Sequence, residues 1–423
     1  MTPRDQEEYG TQFKPEVKKI ISLTLAFAKA VGKNQRDKTD NLVVSPYNAA
    51  ACLAMVAKGA DKGTRDEMAR ALFGTDGAGL DAAAAGYAAL NTEILAANKG
   101  QVEITTANGV WTNKDQVTLR QAFADDLKKT FGAEISAEDY ADPATVKKIN
   151  AWAEKNTNGL IKEVLKELNT DDAAVLASAL YFKGQWTHKF EKALTKDKTF
   201  TTDTAGPALT PTMYQNFDED QGLTYMKGAD FEAVSLTYGE ENNTPGEYKT
   251  PTMRIVLVRP SDDTVSARDW LAGQKAGAVP AWLDPYSFGG AEGSVELPRL
   301  DIKQSHDLIP ALKEMGISAA FQDGADFTKM VEKRGDELYI SKVSHDVVFK
   351  TDEEGSEAAA VTTAVMTLEC VRMPPPRIDI KLDRSFVFAL QDVKTGAVLF
   401  MGAVNKPNDD MKPAGPKTAA PKL

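Results

Sequence analysis

A mixed α+β fold is what this sequence predicts, and three observations lead to it. The first third reads helical, the rest is rich in short β-runs, and helices and strands never take the βαβ alternation of a parallel sheet. The span 15–406 contains no internal repeat and no linker, so it reads as one large domain. Residues 1–14 read as an N-terminal extension, and the Pro/Lys/Ala-rich stretch 407–423 as a disordered tail.

The elements follow in order. Lys18-Lys19 and the apolar run 20–28 have the outline of a secretory signal, but Ile20, Leu23, Phe27 and Val31 fall on one helical face, and an amphipathic helix is expected. Ser45-Pro46 supplies an N-cap and a first-turn proline for a buried helix through Ala60. Further helices are expected over Thr64–Leu72, Leu80–Lys99, Leu119–Phe131 and Pro143–Leu168, with a strand from Val102 to Trp111. Ala173–Phe182 is a near-continuous apolar run, as in a strand buried on both faces. Shorter β-runs occupy 222–226, 231–238, 253–258, 295–302 and 338–350. A helix is expected over 308–316, and three closing strands over 378–382, 385–392 and 397–404.

Composition narrows the function classes. A hydrophobic fraction of 42% across 423 residues can build a substantial core. The net charge of −11 opposes nucleic acid or anionic membranes as partners. With only Cys52 and Cys370 there is no disulfide framework, and Cys52 lies in an apolar run where a thiol packs as a small hydrophobe. With Met1 as the native start the chain is expected to be intracellular; as a processed form, extracellular or periplasmic.

Enzyme chemistry finds little support. His188, His306 and His345 have no metal-ligand spacing, and no cofactor-binding motif or nucleophile elbow occurs, so neither metal nor cofactor is expected. A Cys370–His345 thiol hydrolase is the strongest enzymatic option. Its thiol, however, follows Glu369 in a loop ending at Pro374-Pro375-Pro376, with no helix N-terminus or fixed cation to lower its pKa.

The segment that demands an explanation is Glu353-Glu354-Gly355-Ser356-Glu357-Ala358-Ala359-Ala360 and its continuation to Leu368. As a strand it would put Ser356, Ala358, Ala360, Thr362, Ala364, Met366 and Leu368 on one face, with no charge among them. Glu357 and Glu369 would take the other face. Such a segment could enter an existing sheet without burying a charge. An alanine-rich helix is the competing form, weakened by β-branched Val361, Thr362, Thr363 and Val365.

This loop, together with Asn41–Pro46, Tyr181-Phe182-Lys183-Gly184-Gln185-Trp186, Phe386-Val387-Phe388 and Leu399-Phe400-Met401-Gly402, resembles the serpin family over roughly residues 15–406. The resemblance implies three β-sheets, eight or nine helices and an exposed reactive-centre loop at about 353–376. It also implies a suicide-substrate inhibitor of serine or cysteine proteases, in which a cleaved loop inserts into the central sheet and traps the acyl-enzyme. Insertion adds about ten backbone hydrogen bonds of roughly 1 kcal/mol each, so the intact form is expected to be metastable.

Matching positions carry roles with them. Glu353 resembles the hinge glutamate seventeen residues from the scissile bond, which places that bond at Glu369–Cys370. The stretch onward to Phe386 is longer than usual, so Arg372–Met373 is the alternative. With the bond at Glu369–Cys370, Cys370 would be an exposed thiol on the leaving side. Arg299 stands where the family keeps a basic partner for the hinge glutamate, near Trp186. Ser45, Asn48 and His345 match a polar cluster that controls sheet opening, where Ser178 replaces the usual asparagine. The helix at 80–97 has no basic stripe, which argues against glycosaminoglycan activation. A monomer acting on a target protease is expected. The competing function is a non-inhibitory serpin serving as carrier, chaperone or storage protein, and the small residues at Ser356, Ala358 and Ala360 favour inhibition.

Overall fold

Ser45 and Pro46 start the most deeply buried helix for local reasons. The Ser45 hydroxyl accepts the Asn48 N–H, and Pro46 occupies the first turn, where its missing N–H leaves nothing unsatisfied. The helix Pro46–Gly59 is buried along nearly its whole length. Cys52 lies within it, its pKa pushed up to about 12 by burial, as an inert small hydrophobe. The structure, a computed structural model, describes the chain except residues 1–14, 36–40, 219–220, 242–248, 276–278, 333–338, 341, 357–375, 410 and 414–423.

Among the described residues there are eight α-helices, six of them before residue 160. Pro15–Asn34 is helical and buries Phe27 and Val31, the two described members of the expected stripe that reach the core; Leu23 is half-buried against it. One expectation fails. The helix expected over 143–168 stops at Asn156, because Asn158 and Gly159 take positive φ (50° and 80°). The chain then folds back over the helix, where the Asn150 side-chain oxygen accepts the Val164 and Leu165 N–H groups.

Two outer sheets share the strand Gly289–Pro298. Its start pairs with Leu223–Lys227, in an antiparallel stack that continues through Phe231–Tyr238, Met253–Pro260, Phe386–Asp392 and Val398–Val404 to Leu42–Val44. Its later part pairs with Gly206–Phe217 and Arg377–Lys381. The run expected over 295–302 therefore divides. Pro298 ends one strand, the Arg299 N–H donates to the Pro211 carbonyl, and Leu300–Asp307 begins in the central sheet.

The central sheet comes in two parts. One orders Glu134–Glu138, Glu103–Asn113, Ala174–Gln185 and the two-residue strand Gly355–Ser356; the other pairs Leu300–Asp307 with Ser344–Thr351. No ladder among the described residues joins Ala174–Gln185 to Ser344–Thr351. A cleft lies between them instead, lined by Trp152, Ile161, Leu165, Val175, Ala177 and Asp346. This corrects a second expectation, that the apolar run at 173–182 is buried on both faces. Ala174–Ser178 is only half-buried, because this stretch borders the cleft. A third correction concerns the tail: 407–409 and 411–413 are ordered against the body, whereas the whole of 407–423 was expected to be disordered.

Candidate functional site

The strand Ala174–Gln185 carries two polar clusters near its ends. Ser178 and Trp186 are eight residues apart, about 26 Å along an extended chain. At the far end, Ser344–Thr351 turns through Asp352–Glu354 and delivers Gly355–Ser356 against Gln185 and Gly184. The turn is closed by Asp352 N–H to the Gly355 carbonyl at 2.8 Å, with the Glu354 N–H donating to the Asp352 carboxylate at 2.9 Å. Gly355 has φ of 132°, and a Cβ there would lie 2.1 Å from the Gly184 carbonyl oxygen, so only glycine fits.

Glu353 points inward from this turn. Arg299 Nε lies 2.9 and 3.1 Å from its two oxygens and Nη2 lies 2.6 Å from Oε1, while the Thr195 hydroxyl donates to the same Oε1. The Glu353 side chain is 2% exposed. Burial works against its charge, but the Arg299 and Thr195 hydrogen bonds outweigh it and hold the carboxyl below its ordinary pKa. Glu354 pairs with Lys189 and Lys192 at 3.0 and 3.3 Å, and those contacts hold its pKa down too. The backbone is fixed as well. Trp186 and Phe190 N–H groups donate to the Glu354 and Glu353 carbonyls, and the Trp186 indole donates to the Asp352 carbonyl at 2.8 Å. That indole stacks on Tyr238 at 4.3 Å.

At the other cluster, His345 Nε2 accepts the Ser45 N–H at 2.9 Å, and the Ser45 hydroxyl donates to the Leu399 carbonyl. The Ser178 hydroxyl oxygen lies 2.5 Å from the Asn48 amide oxygen and 2.7 Å from that of Asn108. A serine has one proton to give, so one amide accepts it and the other, turned about its side-chain axis, donates to the hydroxyl. The serine thus sustains a bridge between the helix Pro46–Gly59 and two central strands. Burial pushes the His345 pKa down to about 3, helped by His306, whose ring stacks on it at 6.4 Å. A buried, neutral His345 committed to Ser45 is not placed to act as a general base.

All the expected site residues that are described fall in these two clusters: Glu353, Glu354, Gly355, Ser356, Trp186 and Arg299 in one, Ser45, Asn48, Ser178 and His345 in the other. Glu357, Ala358, Ala359, Ala360, Glu369, Cys370, Arg372 and Met373 lie outside the described residues. Asn108 and Thr195 were not singled out from the sequence, and His306 only as one of three scattered histidines. Asn108 had no readable signal: it lies opposite Ser178 in register, but its strand Glu103–Asn113 is rich in threonine and ends on a second buried asparagine, Asn113. No metal-binding cluster and no helix long and apolar enough to cross a membrane occur among the described residues.

The comparisons agree with this architecture. A family description, serpin (serine protease inhibitor), matches residues 19–407. Serpin-Z3 of Arabidopsis thaliana is 29% identical, over 90% of this chain and 95% of its own. The leukocyte elastase inhibitor of Sus scrofa is 28% identical, over 88% and 95%. The native-state thermophilic serpin tengpin superposes with a TM-score of 0.77 at 25% identity, covering 92% of this chain and 94% of its own. Human thyroxine-binding globulin, complexed with its hormone, does so at 0.76 and 23%, covering 93% and 100%, and shares the fold. Helices, outer sheets sharing a strand, and a turn at 352–356 set against the edge of a central sheet in two parts have one common source: the chain belongs to the serpin family.

Proposed function

We propose that this chain is a suicide-substrate inhibitor of a serine or cysteine endopeptidase, with Glu369–Cys370 as the bait bond and Glu353–Ala360 as the hinge from which the loop inserts. The protease nucleophile attacks the Glu369 carbonyl and expels the amine of Cys370, leaving an acyl-enzyme. Insertion of the loop then outruns hydrolysis.

The observation that carries this reading is the register at the mouth of the cleft. Gly355 lies opposite Gln185 and Ser356 opposite Gly184, antiparallel, so the chain is already directed along the edge of Ala174–Gln185 that no strand among the described residues pairs beyond Gly184. Continued at the same register, Glu357 would meet Lys183, Ala358 Phe182, Thr362 Ser178 and Met366 Ala174. Residues opposite each other share a face, so Thr362 would turn toward the side on which Ser178 meets Asn48. The uncharged residues of the loop would then go to the interior. Glu357 would form an opposite-charge pair with Lys183. No described feature of this hinge favours the carrier alternative, although thyroxine-binding globulin, solved with thyroxine bound, shares the fold.

The test is a panel of acid-specific, trypsin-like, elastase-like and cysteine proteases, each mixed with the full chain. A heat- and SDS-stable covalent complex is expected with at least one of them. A released peptide starting at Cys370 supports Glu369, and one starting at Met373 supports Arg372. Cleavage in the loop by every protease without any complex overturns inhibition and leaves the carrier function.

A further inference from the structure

Where Gly289–Pro298 leaves the outer sheet, it uncovers one edge of Gly206–Phe217. That strand keeps Lys196–Thr202 on its other edge from Thr212 down to Gly206, while its pairing with Gly289–Pro298 ends at Thr212. The vacated edge is taken up at Leu209 and Ala208 by Lys412 and Pro413. The chain reaches that place through fixed points. The Asn41 side-chain oxygen accepts the Asn405 and Lys406 N–H groups, each at 2.7 Å. The Pro407 carbonyl accepts the Asp301 N–H at 3.0 Å. The buried Asn408 amide then donates to the Thr210 hydroxyl at 2.9 Å and to the Arg299 carbonyl at 3.2 Å. Asn408 and 411–413 lie beyond the part of the chain that the family description matches.

The location matters more than the number of contacts. Arg299 and Asp301 flank Leu300, the first residue of a central strand, and the Arg299 side chain is the one that grips Glu353. Asn408 therefore ties the outer sheet, at Thr210, to the residue that holds the turn 352–356. We infer that residues 405–409 and 411–413 form a strap across the outer sheet, with Asn408 as a positioning residue for the Arg299–Glu353 pair, so that releasing the strap loosens the hinge. The consequence for inhibition rests on the proposed function; the mechanical coupling does not.

Hydrogen exchange separates the two. The Trp186 and Phe190 amides are bonded to the hinge carbonyls of Glu354 and Glu353, and Val256 in a central strand of the outer stack reports global opening. In Asn408→Ala, and in a chain ended after Pro407, exchange at Trp186 and Phe190 should rise about tenfold, the factor that one to two net hydrogen bonds carry. Val256 should stay unchanged, and so should every amide in a chain ended after Pro413. Conversion of the intact chain to a heat-stable inserted form on warming should accelerate by a similar factor. Hinge amides that do not change, or that rise in step with Val256, overturn the strap. The full-length Asn408→Ala chain decides the matter if the truncated chain does not fold. A chain that traps no protease yet shows the selective hinge response refutes the inhibitor assignment and leaves the strap standing.

Discussion

Arg299 grips Glu353 with two nitrogens, Nε bridging both carboxylate oxygens and Nη2 at 2.6 Å from one of them, although the two residues belong to segments 54 positions apart. The glutamate side chain is 2% exposed and the arginine side chain 44%. Arg299→Ala would leave a nearly buried carboxylate with little beyond the Thr195 hydroxyl to satisfy it. A buried pair broken on one side costs about 3–5 kcal/mol, and the solvent reaching Arg299 puts this one near the lower figure. The expected outcome is a lower guanidinium midpoint for the first unfolding transition. Adding Glu353→Gln should restore part of the loss, and additivity of the two single changes would show that the pair is not coupled.

The Ser178 hydroxyl lies between two buried asparagines, Asn48 and Asn108. Ser178→Ala removes the shared hydroxyl and leaves amide groups without a partner, at a cost of about 1–3 kcal/mol. Because the strand Ala174–Gln185 is held to the helix Pro46–Gly59 through this point, the intact chain should also convert faster to an inserted form on warming. An unchanged unfolding midpoint with an unchanged conversion rate would show that the bridge does not hold the sheet.

Much of this was legible in the sequence. The Ser45-Pro46 cap, the 3.6-residue spacing before it and the β-runs at 222–226, 231–238, 253–258, 385–392 and 397–404 each have a local cause, so they appear within a residue or two of where the pattern puts them. The ion pair of Arg299 with Glu353 was readable only through the family resemblance, since nothing in either segment names the other. Local patterns fail where the cause is remote or lies in a single backbone conformation. The helix from Pro143 ends early at Asn158-Gly159, and the apolar run at 173–182 is half-open because of the cleft beside it. The strap was illegible for a related reason. A Pro/Lys/Ala-rich stretch has no pattern of its own, and 411–413 is ordered by an edge that another strand vacates.

Acid should weaken the native state through His345 and His306. Both are buried, and burial pushes both pKa values below 6.5, His345 to about 3. The unfolded chain binds a proton near pH 6.5 that folded His345 refuses, so stability is full above that value and falls as pH drops toward 3. At pH 4.5 the loss from His345 alone is about 3 kcal/mol, since the pH has then fallen about two units below 6.5 at about 1.4 kcal/mol each while the folded ring stays neutral. Glu353 acts in the same direction at lower pH, because its stabilising contribution is lost only as pH falls through its depressed folded value. Unfolding midpoints measured from pH 7 to pH 4 should fall, and His345→Gln should flatten the upper part of that curve. A wild-type curve flat across pH 6.5–4.5 would contradict the burial of a neutral His345.

A charge at Thr362 tests insertion itself. If the loop inserts in the register set by Gly355–Gln185 and Ser356–Gly184, Thr362 would arrive opposite Ser178 and turn toward Asn48, a residue only 4% exposed. Thr362→Arg would bring a guanidinium against the neutral amide of Asn48, and burying an unpaired charge costs several kcal/mol. Each 1.36 kcal/mol that reaches the insertion barrier slows it tenfold, so a slowing of about a hundredfold is expected. Acylation depends on the residues beside the bait bond, seven positions further on, and should keep its rate. Hydrolysis of the acyl-enzyme would then win, and the variant should be cut as a substrate with a stoichiometry of inhibition far above that of the unaltered chain. A Thr362→Arg chain that still traps protease one to one would mean that the loop does not enter the sheet in this register.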